Sequence, residues 1–494
     1  MELLNSIRFG ERIAEKEAQN LRHYFVTTED WRRLFEGEVD IIYGTKGAGK
    51  SALYAVLDQA KESLFEKNIL LTTAENPRGN TVFEGLVVDP PTSELEFVRI
   101  WKLYFLIITV EEFKQWGVTN DSFIELKGIL EESNLVPART NLRSILSAVR
   151  KYISQLINVE SIQPGVDIND FTGHPSGVNL KITFREPSPK EQSAGIRSID
   201  YLYELLDESL INFGYSLWIA VDRLDVAFTE NLELETNALR ALFKVYRDLA
   251  PYGQVQIKIF LRDDIWNRIV QEGFREANHI TKALTISWTK ESILNLIIRR
   301  LLNNSAFVEQ FGINVVEVLS DYENQEKLFY TYFPRQIDVG DKKPAAIDWI
   351  ISRIKDGNGV FAPREIIHLF NEAIKKQIKQ IEIGQNELEG DWIISRRAFK
   401  SALEIVSKIR LEQTIYAEYP DLKQYIQKMQ GEKTEQRLDS LQKIWDIGEK
   451  ETAAIAQRLS DIGFFEERGD KHDIRYWIPF IYRNELSLVQ GAAE

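Results

Sequence analysis

The sequence predicts an α/β protein with a parallel central sheet and flanking helices. Three observations support this prediction. A short apolar stretch, Val39–Tyr43, runs into a glycine-rich segment that is followed by residues with helical spacing. Further apolar strands then alternate with helical stretches, and helical patterning continues after the last of them. Strands that alternate with helices pair in parallel, because each helix has to cross back over the sheet.

The glycine-rich segment is a phosphate-binding P-loop, G-x-x-x-x-G-K-[ST]. Its glycines let backbone N–H groups approach phosphate oxygens, and the N-terminus of the next helix adds unpaired donors. In this motif Lys50 reaches the β- and γ-phosphates, and the Ser51 hydroxyl binds Mg²⁺. The alternative, a chance match, is disfavoured by the flanking strand and helix. We therefore expect ATP and Mg²⁺ as cofactors, bound by Gly44, Thr45, Lys46, Gly47, Ala48, Gly49, Lys50, Ser51 and Ala52.

The composition excludes several kinds of site. The chain has 494 residues and no cysteine, so disulfides, thiolate zinc sites and cysteine nucleophiles are ruled out. The start lacks the features of a signal peptide, and the most apolar run, Ile100–Val110, is interrupted by Lys102 and too short to span a bilayer. We expect a cytoplasmic protein without a membrane partner. The net charge of −14 argues against unspecific binding to nucleic acid, although a local basic face stays compatible with it.

The order of the predicted elements suggests several domains. A leader with a helix over Phe9–Phe25 occupies 1–36, and an ATPase core occupies 37–289. The core has insertions at about 93–198: a helical region with a buried aromatic face, then a loop or irregular hairpin from 161 to 198. A helical lid follows at 290–388, and a winged-helix-like domain at 389–494. The predicted strands of the core are Val39–Tyr43, Ile69–Thr73, Leu217–Val221, Gln256–Leu261 and Leu284–Trp288.

Acidic and basic residues follow two of these strands. Asp222 ends the apolar strand Leu217–Val221, as in a Walker B segment, and a second acid, Asp225, follows three residues later. Such a strand delivers its carboxylate to the sheet edge beside the P-loop, where Mg²⁺ binds. The alternative is a strand end that meets an acid by coincidence. We predict that Asp222 and Ser51 bind the metal, and that polar residues such as Arg262 sense the γ-phosphate.

These motifs together resemble those of bacterial AAA+-like P-loop ATPases, more narrowly the STAND, KAP and origin-recognition (Cdc6-like) branch. The resemblance covers about residues 10–385, and the tail more loosely. It implies an ATPase whose catalytic residues are Lys50, Asp222, Asp225, Arg262 and Arg364, with Arg262 at the sensor 1 position and Arg364 at the sensor 2 position of the lid. It also implies that Arg299 and Arg300 contact a neighbouring subunit's nucleotide. Arg262 could instead pair with Asp263 or Asp264, and Arg299 and Arg300 could form a solvated helix face.

One departure from the family pattern concerns hydrolysis. Many AAA+ ATPases carry a catalytic glutamate directly after the Walker B aspartate, and this chain has Arg223 there. Water activation would then depend on Asp225 or another acid. Slow hydrolysis, or a nucleotide switch with little turnover, therefore stays open.

The resemblance implies a nucleotide-driven conformational or assembly switch, acting as a homo-oligomer or with an effector protein. STAND-like members act in signalling, including phage defence. The alternative is an ATP-dependent DNA-binding protein whose C-terminal winged helix contacts DNA through residues near a hairpin turn at Gly469-Asp470. From Asp391 onward, however, 16 Lys and Arg face 18 Asp and Glu, which favours a protein contact or lid packing. The basic residues near the hairpin are Lys471, His472, Arg475 and Arg483.

A third possibility, a small-molecule kinase, is disfavoured by the elaborate insertion, lid and tail.

Overall fold

The structure is a computed structural model that describes residues 1–17, 20–75, 81–84, 86, 93–136, 141–160, 180–224, 231–385, 387–470 and 473–493. The predicted catalytic acid Asp225 lies outside the described residues, as do Lys471 and His472. The chain forms two compact units. The sheet unit comprises Glu29–Gly44 and Lys50–Thr285, and the helical unit comprises Met1–Thr28, Thr45–Gly49 and Ile286–Glu494. The finer division into leader, core, lid and winged-helix domain stays a prediction.

The sheet unit is built on a parallel sheet, as predicted. Its strand order is β2-β5-β6-β1-β7, and each neighbouring pair runs in parallel. β6 lies between β1 and β5, and Gly44 at the end of β1 is in register with Arg262 at the end of β6. The carboxyl ends of these strands therefore share one sheet edge. The strands of this unit are β1 (Ile41–Gly44), β2 (Ile69–Thr73), β3 (Ile182–Thr183), β4 (Arg197–Ser198), β5 (Ser216–Val221), β6 (Val255–Arg262) and β7 (Ala283–Thr285).

Helices cover the sheet and form the leader. Three helices lie in the N-terminal segment Met1–Thr28 of the helical unit: α1 (Glu2–Ser6), α2 (Ala14–Glu17) and α3 (Leu21–Tyr24). Those of the sheet unit are α4 (Glu29–Phe35), α5 (Lys50–Gln59), α6 (Lys61–Phe65), α7 (Glu94–Gln115), α8 (Asp121–Glu132), α9 (Leu142–Glu160), α10 (Pro189–Ser193), α11 (Ile199–Phe213), α12 (Leu232–Leu249) and α13 (Asp263–Gln271). Single 3₁₀ turns lie at Val82–Glu84 and Arg275–His279.

α7 is the central helix of the sheet-unit core. Trp101, Tyr104, Phe105 and Phe113 are fully buried, which confirms the predicted aromatic core, while Trp116 is only partly buried. A helix that is apolar on nearly all sides has to be enclosed by other elements. Two side chains of α7 also fix it to its surroundings by hydrogen bonds. The indole of Trp101 donates to the Ala238 carbonyl at 3.0 Å, and the Tyr104 hydroxyl donates to the Ala74 carbonyl at 2.7 Å.

The rest of the helical unit is largely α-helical and ends in a small sheet. Its helices are α14 (Lys290–Leu302), α15 (Ser305–Phe311), α16 (Val315–Ser320), α17 (Tyr322–Tyr332), α18 (Ala346–Ile354), α19 (Pro363–Glu382), α20 (Arg396–Arg410), α21 (Tyr416–Glu418), α22 (Lys423–Lys428), α23 (Leu438–Trp445), α24 (Glu449–Asp461) and α25 (Phe480–Arg483). A π-helical turn, Leu411–Ile415, joins α20 to α21. No helix in the described part of the chain is long and apolar enough to cross a bilayer.

The C-terminal sheet has the order β11-β8-β10-β9. The succession α22, β8, α23, α24, β9, β10, with β8 and β9 both antiparallel to β10, is that of a winged helix. The predicted C-terminal hairpin is thereby confirmed. The strands are β8 (Lys433–Gln436), β9 (Glu466–Arg468), β10 (Arg475–Trp477) and β11 (Val489–Ala492).

Three local predictions were wrong. The predicted leader helix Phe9–Phe25 is interrupted, because Phe9 is buried in a non-helical segment whose tertiary hydrogen bonds outweigh helix propensity. The irregular hairpin that the sequence offered beside a loop for 161–198 is wrong for the described residues 180–198, because β3 and β4 pair in parallel with α10 between them; residues 161–179 lie outside the described residues. The last core strand ends at Thr285 instead of Trp288, because its pairing with β1 stops at Tyr43.

Candidate functional site

The P-loop connects β1 to α5, as the motif requires. Gly47 and Gly49 have φ values of +87° and +112°, in the left-handed region that favours glycine. The Ala48 N–H donates to the Thr45 carbonyl at 3.1 Å. The Lys50 amine donates to the carbonyl of Gly44 at 2.7 Å, which holds it over the start of the loop. The sequence motif thus forms a tight, preorganised loop at the N-terminus of a helix.

Acidic residues follow three adjacent strands at this edge of the sheet. Glu75 follows β2, Asp222 follows β5 and Asp263 follows β6. Glu75 is fully buried and Asp222 is 3% exposed. The carboxyl ends of parallel strands are where ligands bind in open α/β sheets. Sequence reasoning found Asp222 and placed Asp263 only among the polar residues that could sense the γ-phosphate. It gave Glu75 no role, although Glu75 also closely follows an apolar strand.

Asp222 follows the end of β5, where the Ala220 carbonyl accepts a hydrogen bond from the Tyr54 hydroxyl of α5 at 3.5 Å. Burial, and then the negative charge of Asp222, raises the pKa of Tyr54 well above its usual value. The Tyr54 hydroxyl donates to the Glu75 carbonyl at 2.6 Å. Ser51 and Tyr54 are three residues apart on α5 and therefore share one side of it. The predicted metal ligands are thus on neighbouring elements.

These donors suit Mg²⁺, which usually takes one or two protein oxygens and completes its octahedron with phosphates and water. A carboxylate and a hydroxyl are the hard oxygen ligands it prefers. Among the described residues, no group of three or more His, Asp or Glu side chains could hold a metal ion by itself.

The predicted sensor 1 residue, Arg262, is engaged locally. Its guanidinium bonds to the Asp264 carboxylate at 2.9 and 2.6 Å, which is the alternative that the sequence left open. The neighbouring Asp263 is close enough to the P-loop lysine Lys50 for the two charges to interact. Burial and Asp264 raise the pKa of Asp263, and the positive charge of Lys50 opposes this shift. The sensor role of Arg262 stays a prediction, and Asp263 is a second candidate for it.

Within the helical unit, the first turn of α19 packs against the P-loop. Pro363 occupies the first helical position, as predicted, and Arg364 follows it. A Cβ at Gly47 would lie only 3.0 Å from the Cβ of Arg364 and 3.5 Å from that of Ala362. The Nε of Arg364 is buried and has no hydrogen-bond partner within the described ranges. The structure therefore places the predicted sensor 2 arginine directly against the loop.

Two further side chains contact the same loop and were missed by sequence reasoning. The indole N–H of Trp288 donates to the Ala48 carbonyl at 2.7 Å. Lys46 forms an ion pair with Glu418, at the end of α21. Neither contact has a local sequence signal, since each joins residues more than two hundred positions apart. Together they fix the conformation of residues 45–49.

Arg300 does not have the predicted intersubunit role. Its guanidinium is 6% exposed, forms an ion pair with Glu17 at 2.6 Å, donates to the Phe9 carbonyl at 2.6 Å and lies over the Tyr24 ring. A residue enclosed in this way inside one unit is out of reach of a neighbouring subunit. Arg299 is half-buried and donates to Asn295, and its predicted role is untested.

We expect Gly47→Ala to weaken ATP binding by about tenfold. A side chain at φ +87° is strained, and the added Cβ would force Arg364 away from the loop. Calorimetric titration with ATP and Mg²⁺ measures the effect. The matched control is Gly128→Ala in α8, where a Cβ would meet nothing within 4 Å and helix propensity favours alanine. Equal ATP affinities for the two variants would contradict the expected strain.

His368, one turn after Arg364 on α19, makes the stability of the fold pH-dependent. Burial, and then the positive charge of Arg12, lowers the pKa of His368 to about 4, with Glu372 and Glu365 opposing. A histidine kept neutral in the fold contributes stability above its unfolded pKa of about 6.5 and loses it as the pH falls toward 4. Between pH 7 and pH 4 the wild-type chain should therefore lose up to roughly 3 kcal/mol of unfolding free energy through His368, and the His368→Gln variant should lack this loss. Urea unfolding of both chains across this range measures it, and parallel curves would refute the assignment.

The parallel sheet, with the P-loop between β1 and α5, defines an α/β protein with a P-loop NTPase fold. No family model matches the chain, and no curated protein matches its sequence. Among solved structures, it is similar to the Aeropyrum pernix ORC2 protein in ADPNP–ADP complexes, with 12% identity over 97% of this chain and 93% of that chain and a TM-score of 0.38. The Walker-type ATPase PABY2304 of Pyrococcus abyssi is 10% identical over 93% and 95% of the two chains, with a TM-score of 0.37. The Aeropyrum pernix ORC1 protein in complex with DNA is 11% identical over 93% and 91%, with a TM-score of 0.34. The fold assignment rests on this chain's own sheet order and P-loop.

Proposed function

We propose that this protein binds ATP with Mg²⁺ at the P-loop and hydrolyses it, and that the nucleotide switches its conformation or assembly state. The observation that carries the proposal is the P-loop itself, formed between β1 and α5 with Lys50 held at its end. A glycine-rich loop that ends in a lysine at the N-terminus of a helix is suited to a triphosphate.

The residues have distinct proposed roles. Lys50 and the loop backbone bind the phosphates and stabilise the charge that develops during phosphoryl transfer, and Arg364 adds positive charge from the lid. Ser51 and Asp222 would hold Mg²⁺, which supplies further charge neutralisation. For water activation, Asp225 remains the sequence-based candidate. Glu75 and Asp263 are described acids at the same sheet edge, so we propose them as alternatives.

Two measurements on the full chain test this function. Calorimetric titration with ATP and Mg²⁺, together with phosphate release, should show binding and hydrolysis, and absence of both would reject the proposal. Molar mass from light scattering with and without ATP–Mg²⁺ tests the assembly switch. An unchanged mass would restrict the switch to conformation. The signalling or phage-defence role is a finer hypothesis, which phage plating on cells that carry wild-type or Lys50→Ala protein would test.

The DNA-binding alternative is weakened by the positions of the arginines of the wing. Arg483 is 7% exposed, donates to the Ile478 carbonyl at 2.8 Å and to Gln490 at 2.6 Å, and lies over the Trp477 and Phe480 rings. Arg468 also lies over the Trp477 ring, 3.9 Å from its centroid. Arginines engaged in this way are poor phosphate ligands. We therefore favour a packing or protein-contact role, which a salt-dependent DNA-binding signal from the full chain would overturn.

A further inference from the structure

The leader segment that precedes α2 is fixed on the lid helix α19. The Phe9 N–H donates to the Asn371 side chain at 3.0 Å, and the Asn371 amide donates back to the Gly10 carbonyl at 2.8 Å. The Phe9 ring is buried and lies 4.8 Å from that of Phe370. Arg300 donates to the Phe9 carbonyl from α14. The backbone immediately before Arg12 thus has a defined position.

This position puts Arg12 near the face of α19 that carries Arg364, the residue that packs against Gly47 of the P-loop. Asn371 lies seven residues after Arg364, so both side chains project from the same side of α19, with His368 between them. Arg12 follows Gly10 by two residues, and its guanidinium donates to Gln413 at 3.2 Å. Burial, and then the positive charge of Arg364, lowers the pKa of Arg12, while Glu365 and Glu372 oppose this shift. The charge of Arg12 also reaches His368. These neighbours place Arg12 on the side of α19 that carries Arg364 and His368, close enough for the charges of the two arginines to interact.

Two guanidinium groups near one another are unfavourable unless an anion lies close to both. One of them, Arg364, packs against Gly47 of the P-loop and has a buried Nε without a hydrogen-bond partner in the described ranges. Guanidinium groups bind phosphate oxygens through paired, charge-assisted hydrogen bonds. Glu365 and Glu372 moderate the repulsion, but Glu365 is itself bonded to Arg410 at 3.0 Å. An anion beside the P-loop would satisfy both arginines.

We propose that Arg12 is a second arginine of the nucleotide site, which acts with Arg364 to bind the terminal phosphate oxygens of ATP. This inference rests on the proposed function, since it needs a triphosphate in the P-loop. It assigns the leader a role in recognising ATP over ADP. A triphosphate bound in this way would also be linked to the leader and the lid helix together.

Arg12→Gln in the full chain tests the assignment by calorimetric titration with ATP and with ADP. The loss of one charge-assisted contact should weaken ATP binding by about tenfold and ADP binding by less than about twofold. Arg12→Lys keeps the charge but not the planar fork, and should recover part of the ATP affinity. Arg8→Gln is the matched control in the same segment, because the Arg8 guanidinium donates to the Ile7 carbonyl at 2.8 Å. It should bind both nucleotides as wild type does.

The possible outcomes separate this inference from the proposed function. If wild type binds ATP and Arg12→Gln binds ATP and ADP equally well as wild type, the role of Arg12 is overturned and the proposed function stands. Equal weakening for ATP and ADP would overturn the terminal-phosphate assignment. If wild type binds no ATP, the proposed function fails, and this inference fails with it. Thermal unfolding shows whether each variant folds. If Arg12→Gln does not fold, the ATP and ADP affinities of Arg12→Lys are compared with those of wild type instead.

Discussion

Lys50→Ala is expected to lower ATP affinity and the rate of hydrolysis by about a hundredfold or more. The Lys50 amine lies at the end of the P-loop, 2.7 Å from the Gly44 carbonyl, and its charge reaches Asp263 after β6. Removal of a preorganised cation that stabilises phosphoryl-transfer charge costs about 3–4 kcal/mol in comparable sites. Calorimetric titration with ATP–Mg²⁺ and single-turnover phosphate release measure the two losses separately.

Lys67→Ala is the matched control for this substitution. Lys67 is an exposed lysine of the same unit, paired with Glu36 at 2.7 Å, and its loss should leave ATP binding unchanged. If Lys50→Ala retained both binding and hydrolysis, the ATPase proposal would be wrong. If it retained binding alone, Lys50 would act in the transition state more than in the ground state. If Lys50→Ala and Lys67→Ala both lost ATP binding, the cause would be the lower positive charge of the sheet unit and not the position of Lys50 in the P-loop.

The parts of the site that follow from local sequence were predictable. The P-loop depends on a strand, glycines and a helix start that are consecutive in the chain. Asp222 follows directly after β5, and Pro363 begins α19 as its fixed φ favours. The strands Ile69–Thr73 and Leu217–Val221 were found because parallel strands buried on both faces are continuous apolar runs.

The parts that depend on distant contacts were not predictable. Trp288 looked like the end of a strand, yet its indole bonds to the P-loop carbonyl of Ala48. Glu418 carries no motif, and its pairing with Lys46 follows only from the folded helical unit. The break in the leader helix has the same origin, because the contacts of Phe9 lie on α19 and α14. Local propensity does not contain such information.

Lys258 is the clearest case of a residue whose environment the sequence conceals. It stands within the apolar strand β6 and is fully buried. Its amine donates to Asp40 at 2.7 Å, to the Val39 carbonyl at 2.8 Å and to Gln256 at 3.0 Å, and lies over the Trp218 ring. Burial lowers the pKa of Lys258, and Asp40 opposes this shift. The amine thereby joins β6 to the residues that lead into β1 and the P-loop.

Lys258→Ala is accordingly expected to lower the free energy of unfolding by about 3–5 kcal/mol. Asp40 is only 5% exposed. Without Lys258, its carboxylate would keep the Tyr246 hydroxyl, 3.0 Å away, as the remaining side-chain donor among the contacts described above. Urea unfolding measures the change. Lys244→Ala is the control, because the Lys244–Glu94 ion pair is partly exposed and should contribute less than about 1 kcal/mol.

The double variant Asp40→Ala/Lys258→Met separates the ion pair from simple loss of packing. Removal of both charges leaves no unpaired buried ion, so the double variant should be more stable than Lys258→Ala alone. If the double variant were instead less stable than the single one, packing by the lysine stem and not its charge would hold β6 to β1. If Lys258→Ala changed stability no more than Lys244→Ala, the buried amine would not stabilise the sheet edge on which the P-loop begins.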